Sequence, residues 1–295
     1  LHRKCNYGFM PDSYAVCRNT LTRRQAVKVL ALLPALPLPT ALAMEAGSGS
    51  GEVSYRVDAT VLFCGVPLLT RSGVGDGFAA VRARGKSHSI RFGAGSWPER
   101  AAGLNRFGLI REEIELRADG SEAIEFRGIV TANKEESFQD ARSALHSQAS
   151  TSLTAVYGAI KDGVVTSALR RFPAPEGCQW RDPGAVERTL DSAQSTEFAE
   201  RQAGKGQITF LEAMRKAGQH EGSTTLEFVH LARPYVLETR RQGTKLDGVI
   251  RNSSGKVTAE FRTWYDPQTT HGIPIRIEYK AKSYLRLTFS ATAGV

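Results

Sequence analysis

The sequence is poor in the residues and spacings that announce a chemistry. Its 295 residues hold four cysteines, six histidines, three tryptophans and three methionines. No C-x-x-C occurs, which excludes the usual redox dithiol and cysteine zinc signatures. No H-E-x-x-H occurs either. His220-Glu221 has no second histidine at helical spacing, and His88, His146, His230 and His271 are scattered. The Gly47–Gly51 stretch has glycine rather than serine at its centre, so it is not a nucleophile elbow. Gly73-Val-Gly-Asp-Gly77 leads into strand-like sequence, whereas a phosphate loop leads into a helix. It reads as a glycine-rich turn. No metal and no cofactor is implied. No run of about 18 apolar residues is present, so no membrane-spanning helix is expected. Hydrophobic residues make up 41% and charged residues 23%, values of a packed globular chain rather than a disordered or fibrous one.

The charge is unevenly placed. Of the formal +9, residues 1–43 carry +5, from Arg3, Lys4, Arg18, Arg23, Arg24 and Lys28 against Asp12, which leaves +4 for residues 44–295. With the leader set aside, nucleic acid is not an expected partner. Leu1 is not a methionine, and Met10 is the first residue that reads as an initiator. Arg23-Arg24-Gln25-Ala26-Val27-Lys28, a proline-containing apolar stretch and Ala41-Leu42-Ala43 read together as a cleavable twin-arginine export signal over 1–43, with Ala26 where phenylalanine is usual. No cysteine follows Ala43 closely, so a lipid anchor is not signalled. The expected location is the periplasm, with the export machinery as a transient partner. There Cys64 and Cys178 could be joined, or Cys64 could be an inert thiol at a strand end.

Residues 44–52 read as a flexible lead-in and 53–295 as one β-rich domain. Val53, Tyr55, Val57, Ala59, Val61 and Phe63 alternate with polar residues in a long half-buried strand that ends before Gly65 and Pro67. Further strands are read over 78–84, 88–92, 109–117, 122–130, 155–160, 164–169 and 257–265. Turns are read at Gly85-Lys86, Ala118-Asp119-Gly120 and Lys161-Asp162-Gly163. At the C-terminus Ile273, Ile275, Ile277, Tyr279, Leu285, Leu287 and Phe289 share parity. A three-residue turn over 281–283 would keep these faces together by pairing Ile277 with Leu287; one long bent strand is the alternative. Helices are expected after Asn133, from Pro183 to about Ala203, and over 210–217. The fold class is mainly β (α+β): a strongly curved antiparallel sheet or half-barrel, with a few helices covering its concave face.

Candidate binding residues lie on loops and strand ends. Trp97, Arg100 and Arg106 follow two glycines in what reads as a loop, and Trp264 and Arg276 flank the last turn. Asp266 and His271 could serve as base and acid, with His230, Glu227 and Tyr265 as further candidates. Asp266-Pro267 is equally a turn opener.

Trp264-Tyr265-Asp266-Pro267, followed by Gly272-Ile-Pro-Ile-Arg-Ile-Glu278 and a final strand, resembles exported bacterial proteins that end in a W-x-D … P-x-R-I strand pair. Those are similar to the periplasmic half-barrel superfamily of lipoprotein carriers and lipid-binding lipoproteins. The resemblance covers the C-terminal ~70 residues. It implies a curved sheet around an apolar cavity and transfers no ligand or catalytic residue. The expected function is an exported binding protein for a lipid or other apolar molecule, held on a concave face lined by residues such as Tyr55, Val57, Phe261, Ile275 and Ile277. Arg100, Arg106 and Arg276 would meet a headgroup. The alternatives are a periplasmic enzyme of hydrolase or lyase type, with its site at the mouth of the sheet, and a non-catalytic scaffold in peripheral contact with the envelope.

Overall fold

Alternation of apolar and polar residues dictates strands with one oily face, and fourteen of them join into one antiparallel sheet. The computed structural model describes residues 50–63, 65–101, 105–132, 152–193, 200–230, 233–266 and 273–292. The strands are β1 (Ser50–Phe63), β2 (Val66–Arg84), β3 (Ser87–Ser96), β4 (Phe107–Leu116), β5 (Glu122–Ala132), β6 (Ser152–Lys161), β7 (Val164–Pro173), β8 (Glu200–Lys205), β9 (Gly222–His230), β10 (Arg233–Gln242), β11 (Lys245–Asn252), β12 (Val257–Trp264), β13 (Arg276–Lys282) and β14 (Leu285–Ala291). Helix α1 (Pro183–Ser192) precedes β8, and helix α2 (Phe210–Gln219) follows it.

The strand order runs from β8 down to β1, then from β14 down to β9. First and last strands are therefore neighbours, with Tyr55 opposite Ala291 and Val57 opposite Phe289. The sheet curls into a nearly closed barrel. Residues 206–209 carry the chain from the edge at β8 to the edge at β9. There Thr209 bridges Val229, and Gly206 lies so close that a Cβ would stand 2.3 Å from Val229 Cγ1.

The main core is inside. On the concave wall formed by β3, β2, β1 and β14, the Phe289 ring packs against Tyr55 (6.3 Å) and Phe92 (6.2 Å). Helix α2 fills the concave side with Leu211, Ala213 and Met214, all fully buried. Burying a leucine or methionine side chain contributes about 1.5–3 kcal/mol. A ten-residue helix is too short to persist alone, and its N-terminus is held by β4. The Glu112 carboxylate accepts hydrogen bonds from Thr209 Oγ1 (2.5 Å) and from the amides of Leu211 (3.1 Å) and Glu212 (3.0 Å). Those amides are donors that a helix start leaves without partners. The helix is pinned laterally as well. Arg215 and the His88 ring donate to Glu212, Lys216 pairs with Glu122, and Arg241 donates to the Gly218 carbonyl.

Helix α1 lies on the opposite, convex face. Val186 and Leu190 pack with Leu109, Ile129, Leu153 and Trp180 in a second, smaller core. Asp182 caps this helix through the Ala185 amide, and Pro183 opens its first turn.

Several expectations are corrected. The helix from Pro183 stops at Ser192, and residues 200–205 form β8 because β7 offers an edge to pair with. Gly73–Gly77 is not a turn but part of β2, with a register shift against β1 at Val57/Ala59 that Gly73 accommodates at φ 61°. Gly93–Ser96 is strand β3 rather than loop. At the C-terminus Ile277 pairs with Phe289 rather than Leu287. A bulge between Lys280 and Lys282 absorbs one residue, so parity is kept across a shorter turn. Ile275, expected on the concave face, is 38% exposed. The helix expected after Asn133 and Cys64 lie outside the described residues; Cys178 is a free, buried thiol near Thr189. No helix among the described residues is long and apolar enough to cross a membrane.

The two clustered carboxylates on α2 and β4 give opposite pH signatures. Burial raises the Glu112 carboxyl from 4.5 to about 7, outweighing its hydrogen bonds. Its stabilising contribution is therefore complete below about 4.5 and is lost as pH rises through about 7. Burial also raises Glu212, but Arg215 and His88 outweigh it and hold it at about 2, so its contribution is present above 4.5 and lost as pH falls toward 2. Thermal melts between pH 4.5 and 7.5 should show a downward slope attributable to Glu112 that Glu112→Gln flattens. Glu212→Gln should cost about 3 kcal/mol or more across that range, because it strips the buried Arg215 of its partner.

Candidate functional site

Two bare glycines on the convex face of β3, beside Asp76 and Phe78 of β2, create the most distinctive site. On β2 and β3 the convex face presents Asp76 beside Gly95 and Phe78 beside Gly93. The Trp180 ring lies over those glycines: a Cβ on Gly95 would stand 2.1 Å from Trp180 Cγ, and one on Gly93 2.6 Å from its Cη2. The indole stacks between Phe78 (6.1 Å, 11°) and Phe107 (6.3 Å, 27°). Its Nε1 donates to Asp76 Oδ1 at 2.6 Å and to the Asp76 carbonyl at 2.9 Å.

A second indole converges on the same oxygen. Trp97 Nε1 donates to Asp76 Oδ1 at 3.3 Å. Trp97 is placed by its own amide, which donates to the Val74 carbonyl at 2.8 Å, and by a turn in which the amides of Arg100 and Ala101 donate back to its carbonyl. Burial raises the Asp76 carboxyl, while the bonds from Trp180 and then Trp97 pull it back; the net direction is up. No described residue donates to Asp76 Oδ2, which is left to the cleft.

Arginines rim these rings. The Arg100 guanidinium lies 4.6 Å from the Trp97 ring, and Arg91 lies 5.4 Å from Phe78 while pairing with Glu187 of α1. Arg56, opposite Asp76 on β1, reaches Asp58 at 3.4 Å. No carboxylate among the described residues pairs with Arg100. Together these groups line a cleft of about 550 Å³ that also includes Glu52, Ser54 and Thr292. Rings form its floor, and three guanidinium groups (Arg56, Arg91, Arg100) and three carboxylates (Glu52, Asp76, Glu187) stand beside them.

The sequence-derived candidates fall in three places. Trp97 and Arg100 line the cleft. Arg106 is held beside it through Ser96: its amide donates to Ser96 Oγ at 2.8 Å, and its carbonyl accepts from the Ser96 amide at 2.7 Å. Trp264 and Arg276 stack at 5.1 Å on the same convex face, with Arg276 bound to Glu278 at 2.6 Å. Ser290 alone separates Arg276 from Arg56 in register, two strand spacings or about 10 Å.

The acid–base candidates are dispersed. Tyr265 is buried; its hydroxyl accepts from Thr263 at 3.0 Å, and burial pushes its pKa well above the usual range. Its amide donates to Thr244, past one end of β10, with Asp266 next in the chain. His230 pairs with Arg233 at the other end of β10, edge-on to Tyr235. Ten residues of strand, about 30 Å, separate the two ends. Glu227 alternates with the inward Phe228 and so faces the other side. His271 lies outside the described residues. Among the described residues no three His, Cys, Asp or Glu side chains gather as a metal site.

Asp76, Trp180, Arg56, Arg91 and Glu187 were not singled out from sequence. The available signal was the alternate spacing of Gly93 and Gly95, which marks one strand face stripped of side chains.

No family model and no curated protein matches the sequence. Among solved structures, the chain is similar to a β-barrel-like protein of the domain of unknown function DUF1849 from Brucella abortus. The identity is 12% and the TM-score 0.42, over 86% of this chain and 97% of that one.

Two substitutions test the construction of the cleft. Trp180→Phe keeps a ring over the glycines but removes the N–H; urea denaturation should show a loss of about 1–3 kcal/mol, the cost of a part-buried acceptor deprived of its donor. Gly95→Ala drives a methyl group into the indole, and should shift tryptophan emission to the red with a comparable or larger loss of stability.

Proposed function

We propose that this is an exported binding protein whose convex cleft holds an amphipathic anion, a lipid or similar molecule with an apolar body and a negatively charged head. The cleft's pairing of exposed ring surface with the carboxylate-free Arg100 carries this reading. Its volume of about 550 Å³ suits one small ligand or part of an acyl chain. The apolar body would lie along Phe78 and Trp97, and the head would meet Arg100 and Arg56. Asp76 Oδ2 would accept from any hydroxyl on the ligand.

The cleft is a better site than the concave face. That face is already covered by α2, and its aromatic residues Tyr55, Phe92 and Phe289 are buried against one another. Dispersal of Tyr265, His230 and Glu227 favours binding over the acid–base enzyme considered from sequence. Export and a periplasmic location are part of the proposal and rest on the twin-arginine-like leader.

Oleate is a suitable probe, with oleyl alcohol as its uncharged counterpart. Oleate should quench tryptophan emission saturably, bind more tightly than the alcohol and lose about tenfold in affinity in Arg100→Ala, the weight of one charge-assisted contact. Equal binding of acid and alcohol, or an Arg100→Ala protein indistinguishable from the parent, would overturn the assignment.

A further inference from the structure

The hairpin joining β1 and β2 is built unlike the rest of the barrel. Pairing of β2 with β3 begins at Gly75, opposite Ser96, and the Val74 carbonyl already accepts from Trp97, so residues 66–71 pair with β1 alone and rise beyond the sheet. On the other side β14 stops at Leu285, opposite Val61. The projecting tip is apolar and in water: Phe63 is 66% exposed, Val66 61%, Leu68 66% and Leu69 65%. Large side chains clustered at that exposure mark a contact surface rather than scattered surface residues. The strands below the tip are tied to each other and to the barrel. Leu62 is buried with its amide on the Tyr284 carbonyl at 2.8 Å, and the Thr60 and Thr70 hydroxyls are 3.1 Å apart.

The charge around its base is mainly positive; Asp58, next along β1, is tied to the Gly73 amide at 2.7 Å and to Arg56 at 3.4 Å. Residues 59–75 and 279–295 contain Arg71, Lys280, Lys282 and Arg286 and no Asp or Glu. Lys280 is engaged with Glu260 on the barrel wall. Arg71, Lys282 and Arg286 stand at the level where the tip leaves the sheet: Arg71 is opposite Ala59, Lys282 opposite Leu285, and Arg286 opposite Thr60. Arg286 keeps a buried Nε without a hydrogen-bond partner. An apolar tip over a basic collar matches an anionic bilayer in both layers, acyl region and headgroups.

Strand addition by another protein fits less well. Pro67 supplies no amide, Arg71 puts a charge on the exposed edge, and the distorted register at Gly73 ends the straight segment.

We infer that the β1–β2 hairpin is a membrane-docking element, inserting Phe63, Val66, Leu68 and Leu69 into a lipid surface whose anionic headgroups meet Arg71 and Arg286. This stands without the reading of the cleft, and variants of the two regions separate them. The test uses the full chain throughout, so residues 1–49 contribute equally to every sample. Vesicles of phosphatidylcholine with phosphatidylglycerol should bind the parent protein, and Leu68→Asp/Leu69→Asp should weaken binding by about tenfold or more. Phe63→Trp should shift its emission to the blue on these vesicles and not on pure phosphatidylcholine. The substituted side chains are solvent-exposed, and unchanged thermal melts would establish that the variants fold. Parent-like binding by the double variant, an unmoved Phe63→Trp emission, or a dimer that the double variant dissolves while vesicle binding persists would each overturn the inference.

Discussion

A fourteen-stranded sheet with one oily face must cover that face, and here the cover is a ten-residue helix that could not exist by itself. Everything inside the barrel depends on the Glu112 carboxylate meeting the N-terminus of α2. That contact lets the helix sit in a lumen where its first amides would otherwise be stranded. In place, α2 carries Leu211, Ala213 and Met214 into the core, and Thr209 just before it bridges Val229 of β9. A carboxyl so deeply buried is costly, and the charged groups around Glu212 form the counterweight on the same helix.

The convex face follows a different logic. Gly93 and Gly95 on β3 leave a trench in the sheet surface, and Trp180, brought over by the segment before α1, fills it. The indole N–H then fixes Asp76, and the Trp97 turn closes over the same oxygen. Guanidinium groups stacked on Phe78 and Trp97 complete a surface that is apolar in its floor and of mixed charge at its rim, where Arg91 pairs with Glu187 and Arg100 pairs with no carboxylate among the described residues. The cleft is thus a by-product of a structural solution, two indoles on one carboxylate, that leaves one carboxylate oxygen and one arginine available.

The cleft and the protruding hairpin share the same strands. Arg56 and Gly73 line the cleft, and the chain continues from both into the apolar tip. A protein that rested its tip on a bilayer would hold the cleft within a few strand residues of the lipid headgroups, which connects the two proposals physically while leaving each separately testable.

Much of the barrel was legible because period-two alternation is a local property. Tyr55, Val57, Ile277 and Phe289 declare their faces wherever they occur, and Asp162-Gly163 declares its turn. Trp97 and Arg100 could be picked out because bulky and cationic residues beside glycine are conspicuous. The structure alone decided which strands meet: that the first lies against the last, that residues 200–205 pair with β7 instead of prolonging a helix, and that a bulge after Lys280 preserves parity. It also decided that Glu112 caps a helix about 100 residues away and that Trp180 reaches Asp76 across a similar separation. Side-chain alternation is written in neighbouring residues, whereas capping, edge pairing and the filling of a glycine trench arise only when distant segments compete for the same unsatisfied donors and the same empty volume.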